Sequence, residues 1–132
     1  QCENARKLAA WLREHPCVER VYYPDDREHP DRDVVSRVLA AGLYGGMVSF
    51  EVTGVDKAAI FRFLDSLRMI VRATSLGDVH TMALYPWISS HRDVSLPLKA
   101  EMGIRENLIR LSAGIEDIED IKEDLDRALR AV

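Results

Sequence analysis

Between residues 3 and 14, Leu8, Ala9, Trp11 and Leu12 fall on one side of a 3.6-residue period, so the spacing predicts an amphipathic helix. Pro16 ends it, because the residue before a proline disfavours the αR conformation. The period then changes to two: Val18, Arg20 and Tyr22 alternate with Cys17, Glu19 and Val21, the pattern of a half-buried strand. A polar loop follows, then a helix near 31–41 predicted to turn Val34, Val35, Val38 and Leu39 inward, with Gly42 as its cap. In 45–54 glycines bracket a second strand with one packed face, Met47, Ser49 and Glu51 alternating with Val48, Phe50 and Val52. Helical spacing returns over 55–67 through Ile60, Phe61 and Leu64. A short apolar segment, a loop at 73–79 and a strand at 80–86 come next.

Residues 86–98 carry prolines at both sides and read as an ordered surface loop, of the size at which loops tend to be functional. A short helix at 99–103 and a last strand at 107–112 follow. Asp117, with Asp120 three positions on, resembles a capping box built from acids, and the final helix runs through Ile118, Ile121, Leu125 and Leu129. Helices alternating with a few short strands predict an α+β fold: a small, mainly antiparallel sheet with helices on one face. At 132 residues, one domain is expected.

Composition narrows the classes. The chain is 47% hydrophobic and 30% charged, with no apolar run approaching a membrane span and no signal-peptide pattern, so a cytoplasmic setting and no membrane association are expected. Residues 115–132 hold seven acidic and three basic side chains, which accounts for the whole net charge of −4. Elsewhere bases such as Arg6, Lys7, Arg13 and Arg20 are interleaved with acids, unlike the basic stripe that nucleic acid requires. Cys2 and Cys17 form no C-x-x-C pair and have no histidine at ligand spacing, so neither a disulfide nor a metal site is expected.

One residue breaks the pattern. Arg110 stands in an apolar strand, sharing a face with Leu108 and Ser112 while Ile109 and Leu111 face the other way. If that face is the open side of the sheet, Arg110 is either an ordinary solvated charge or a device for capturing an anion, since a guanidinium grips a carboxylate through two parallel hydrogen bonds.

The stretches "SLGDVHTMALYP", "SSH", "MGI" and "LIRLSAGIEDIEDIKEDLDRAL", preceded in order by "NARKLAAWLREHPCVERVYYP" and "YGGMVSFEV", resemble the C-terminal domain of the cystathionine γ-synthase family. Its members are pyridoxal-phosphate enzymes of cysteine and methionine metabolism, methionine γ-lyase and O-acetylhomoserine sulfhydrylase among them. The resemblance implies a domain of the fold-type-I architecture packed on a larger N-terminal, cofactor-binding domain, in an enzyme that is typically a homotetramer. It implies an amino-acid substrate undergoing γ-elimination or γ-replacement. It also implies that Arg110 holds the substrate α-carboxylate, with Ser75 and Leu76 of the Ser-Leu-Gly loop beside it. His80 stands where many relatives carry Glu, at a position near the substrate side chain. His91 matches a histidine of structural or rim character, while Tyr85 and Trp87 depart from the common form of that loop.

The Schiff-base lysine and the phosphate-binding residues of the family belong to the other domain. Lys7, Lys57, Lys99 and Lys122 all sit in helical contexts expected to be exposed, and none matches the family's lysine motif. The chain by itself is therefore expected to hold no cofactor covalently and to be inactive, a substrate-binding part of a larger enzyme. Two other classes remain open at this stage: a stand-alone module that senses an amino acid through Arg110 and Ser75, and a purely structural interaction domain.

Overall fold

The computed structural model describes residues 1–132. Five helices and five strands follow in the order α1 (Cys2–Arg13), β1 (Val18–Tyr22), α2 (Arg32–Val38), β2 (Met47–Val52), α3 (Lys57–Ser66), β3 (Val71–Arg72), β4 (Met82–Leu84), α4 (Leu96–Glu101), β5 (Leu108–Ser112) and α5 (Ile118–Leu129). The strands form one sheet in the order β1-β2-β5-β4-β3, antiparallel throughout except for the short β3–β4 pair. The α+β expectation of a mainly antiparallel sheet is met.

The long helices α1, α3 and α5 cover one face, and the alternation of the central strands explains why. Val48, Phe50 and Val52 on β2 and Ile109 and Leu111 on β5 are fully buried against Leu8 and Leu12 of α1, Ile60 and Phe63 of α3, and Ile121 and Leu125 of α5. Phe50 and Phe63 meet edge to face at 6.1 Å between ring centres. Helix α3 starts where the Asp56 carboxylate accepts the Ala59 N–H at 2.8 Å, and α5 where Asp117 accepts from Glu119 N at 2.8 Å. Asp120 sends no bond back, so the acidic capping box is only half formed.

Three apolar assignments need correction. Helix α2 buries no residue, and Val34, Val38 and Leu39 are exposed, because a 3.6-residue stripe says which side chains share a face but not whether another element covers it. The helix ends at Val38 with Leu39 extended, so Gly42 serves a later turn with φ +80° instead of capping it. In α3, Phe63 fills the core position expected of Phe61, which lies outside against Tyr85 at 6.0 Å.

The other face of the sheet is less open than the alternation suggests. Met82, Leu84, Leu108, Ser112 and Glu51 are buried there as well. The segment joining β4 to β5 folds back over part of it, where Arg105 reaches the Glu51 carboxylate at 3.6 Å; Tyr85, at the start of that segment, lies in the helix-side core and donates its hydroxyl to the Glu106 carbonyl at 2.6 Å. Glu51 also accepts the Tyr22 hydroxyl. Within this segment α4 begins at Leu96, earlier than the expected helix at 99–103. Lys99 is buried, against the expectation of exposure, with its ammonium on the Trp87 carbonyl at 3.2 Å and 4.4 Å from the centre of the Trp87 ring.

Candidate functional site

Arg110 lies on β5, the central strand, between Ser49 of β2 and Leu84 of β4. Its side chain is half-buried, and burial draws its pKa below the ordinary arginine value while leaving it a permanent cation. One guanidinium nitrogen, Nη2, donates to the Thr74 carbonyl at 3.3 Å and to the Ser75 carbonyl at 3.1 Å. No carboxylate lies within ion-pairing distance of Arg110. Two neutral carbonyls hold the group in place, and its remaining donors are free for an anion.

Those carbonyls belong to the loop singled out in the sequence. Ser75 is brought beside Arg110 through its backbone, with its side chain exposed. Leu76 is 58% exposed on the same loop. Gly77, at φ +76°, donates its N–H to the Ser112 hydroxyl at 2.9 Å. The loop is therefore tied to one face of β5 at two points, Arg110 and Ser112. His80 follows a different partner: its Nδ1 and its backbone N each lie 3.0 Å from the Asp78 carboxylate, which these contacts hold below the usual carboxylate range. His91 Nδ1 pairs with the Ser90 hydroxyl at 2.8 Å.

Several residues that sequence reasoning missed complete the loop's anchorage. The Glu116 carboxylate accepts the Thr81 N–H at 2.6 Å and the Thr81 hydroxyl at 2.8 Å, and Thr81 Oγ1 in turn accepts from Gly114 N at 2.9 Å. A Cβ on Gly114 would overlap the Val79 carbonyl, the Thr81 amide and the Glu116 carboxylate, so only glycine fits. Asn4 of α1 donates to the carbonyls of Gly114 and Glu116 at 3.1 and 2.9 Å. At the loop's other end Asp124 of α5 accepts backbone N–H groups from Arg68, Met69 and Ile70 at 2.9–3.3 Å and pairs with Arg127. The one readable signal was a glycine and a glutamate directly after a strand.

The stretch from Arg110 to Glu116 is thus one device: a cation holds residues 74 and 75, a hydroxyl holds Gly77, and a glycine and a carboxylate together hold Thr81. Cys2 and Cys17 are free thiols, and no three of the His, Cys, Asp and Glu side chains converge as metal ligands. A surface groove of about 620 Å³ between β1 and residues 24–30 excludes Arg110 from its lining. No helix is long and apolar enough to cross a membrane.

Comparison with known proteins gives this arrangement a family. The model of the Cys/Met metabolism PLP-dependent enzymes matches residues 1–130. The chain belongs to that family. It is 37% identical over 130 residues to a cystathionine γ-lyase of Bacillus subtilis, covering 98% of this chain and 33% of that protein. It is 40% identical over 129 residues to an O-succinylhomoserine sulfhydrylase of Pseudomonas aeruginosa, with coverage of 98% and 31%. Among solved structures, a cystathionine γ-lyase from Micromonospora echinospora superposes with a TM-score of 0.90 at 40% identity, over 99% of this chain and 33% of that one. The chain spans about a third of the length of the relatives it matches. The family's chemistry depends on pyridoxal phosphate.

The lysines present do not fit the role of cofactor anchor beside Arg110. Lys7 of α1 and Lys122 of α5 pair with Glu3 and Glu119 at 2.8 Å, and with Lys57 of α3 they stand in the helical layer, across the sheet from Arg110. The Lys99 ammonium is engaged by Trp87.

Proposed function

We propose that this chain is the C-terminal, substrate-binding domain of a pyridoxal-phosphate enzyme of cysteine and methionine metabolism, and that Arg110 clamps the α-carboxylate of its amino-acid substrate. The observation that carries this reading is the state of Arg110: half-buried, oriented by the Thr74 and Ser75 carbonyls, and unpaired with any carboxylate. A carboxylate arriving there gains charge-assisted hydrogen bonds in a partly desolvated setting, which fixes both its position and its rotation. The backbone of Ser75 and Leu76 forms the adjoining wall of the site.

The enzyme acts on a homoserine-derived or sulfur-containing amino acid by γ-elimination or γ-replacement, and the lysine that holds the cofactor lies in an N-terminal domain. The lack of a suitable lysine near Arg110 and the one-third coverage of the relatives support this division. The family resemblance likewise supports a cytoplasmic homotetramer. His80, at the far end of the same loop, faces the substrate side chain and takes part in substrate choice.

The test is steady-state kinetics of the full-length protein with methionine, cystathionine and O-acetylhomoserine. Arg110→Ala should keep the cofactor absorbance band and lose about 2–4 kcal/mol in kcat/KM, roughly 30- to 1000-fold. Arg110→Lys should recover only part of this, because an ammonium lacks the two-pronged geometry. Unchanged kinetics in Arg110→Ala would refute the clamp. His80→Glu should alter the ratio of kcat/KM values among the three substrates and leave the cofactor band intact.

A further inference from the structure

A second cluster of positive charge lies outside the Arg110 site, between the start of α3 and the segment joining β4 to β5. Lys57, Arg92 and Lys99 line one pocket of about 420 Å³ together with Trp87 and Ile88. Its volume falls within the roughly 300–1,000 Å³ typical of small-molecule sites. Three of the five lining residues are cations and none is an acid. No carboxylate lies within 4.0 Å of any of the three, although eight contacts of lysine or arginine with a carboxylate occur elsewhere in the molecule.

Lys99 is the telling member. It is only 5% exposed, and a buried ammonium normally has a counter-charge. Its ammonium donates to a single neutral acceptor, the Trp87 carbonyl at 3.2 Å, and rests on the Trp87 ring. Of its three N–H donors, two have no protein acceptor. Arg92 uses Nε to hold the Ile88 carbonyl at 3.1 Å, which fixes the direction of its guanidinium and leaves both terminal nitrogens without an acceptor. Lys57 sits over the Phe61 ring, 5.9 Å from its centre, and is equally free of acids.

We infer that this pocket binds a phosphate group, either as the free anion or as the monoester of a small metabolite. A tetrahedral dianion offers acceptors in several directions, matching donors that approach from three separate elements: α3, α4 and the loop carrying Arg92. A fixed guanidinium suits two phosphate oxygens, while the two lysines act as point charges. Trp87 gives an apolar wall for whatever an ester would carry. The inference uses none of the residues that hold Arg110 and does not depend on the clamp.

Isothermal titration of the full-length, cofactor-saturated protein at low ionic strength tests it, with inorganic phosphate and phenyl phosphate as probes. Saturable binding that weakens about tenfold or more in Arg92→Gln, weakens further in Lys57→Gln, Arg92→Gln and falls with added salt supports the site. Both substituted side chains are exposed, so folding is retained; Lys99→Met provides the buried counterpart. Tighter binding of phenyl phosphate identifies a monoester as the ligand, and equal or tighter binding of inorganic phosphate identifies the free anion. Arg110→Ala must leave the titration unchanged. Absence of saturable binding, or binding that survives the double substitution, overturns the inference.

Discussion

Asp124 shows how much one buried side chain can organise. It is 3% exposed and gathers three consecutive backbone N–H groups, Arg68 to Ile70, at the entrance to β3 and the loop that holds Arg110. Burial by itself would raise its pKa; the three N–H donors and Arg127 outweigh that and bring it below the usual carboxylate value. A carboxyl whose pKa is lowered on folding stabilises the fold above its unfolded pKa, and that contribution is lost as pH falls through the folded value. The contribution should be intact at neutral pH and fade below about pH 4. Asp124→Asn removes the charge and one acceptor oxygen, and should cost about 3 kcal/mol at pH 7. Urea denaturation at pH 7 and pH 3 checks both points: the gap between wild type and Asp124→Asn should narrow at the lower pH.

At the scale of elements, the junction of β5 with α5 matters most. Gly114 lets the chain after β5 lie directly against Val79 and Thr81, and Glu116 locks Thr81 in place. Gly114→Ala must push these backbones apart, at a cost of about 2–3 kcal/mol. Because the same contacts hold residues 74–81 beside Arg110, this variant should also raise KM, which a Tm measurement paired with kinetics would separate from stability alone. Helix α3 offers the contrasting case, a purely local device. Removing the Asp56 cap with Asp56→Ala should cost about 1 kcal/mol and leave KM unchanged, since α3 lies across the sheet from the site.

For the whole molecule, the sheet separates two tasks. One face, packed under α1, α3 and α5, holds the fold together; the other carries Arg110 and is covered in part by Arg105, which reaches Glu51 from the segment returning to β5. Phe50 and Arg110 stand on adjacent, hydrogen-bonded strands but point to opposite faces. Phe50→Ala should cost about 3–5 kcal/mol in calorimetric stability without abolishing substrate binding in the protein that remains folded. Arg110→Ala should do the reverse, and the pair would show that stability and recognition are carried by different sides of one sheet.

The order of helices and strands, the α+β class and the outward turn of Arg110 relative to Ile109 and Leu111 were legible in the sequence, because residue spacing fixes which side chains share a face. The resemblance to a family motif singled out the Ser75–Gly77 loop and Arg110, and the structure places the two side by side. Spacing does not say what a face meets, and there the tertiary structure decided. It left α2 uncovered, gave the core position to Phe63 instead of Phe61, buried Glu51 beside Arg105, and buried Lys99 against Trp87. It also brought Arg110 to the carbonyls of Thr74 and Ser75, Gly77 to Ser112, and Glu116 to Thr81. Each of these pairs is separated by more than 30 residues, and their meeting depends on β4 and β5 pairing side by side. Local sequence sets which groups the loop and the strand present to each other; only strand pairing sets the distance between them.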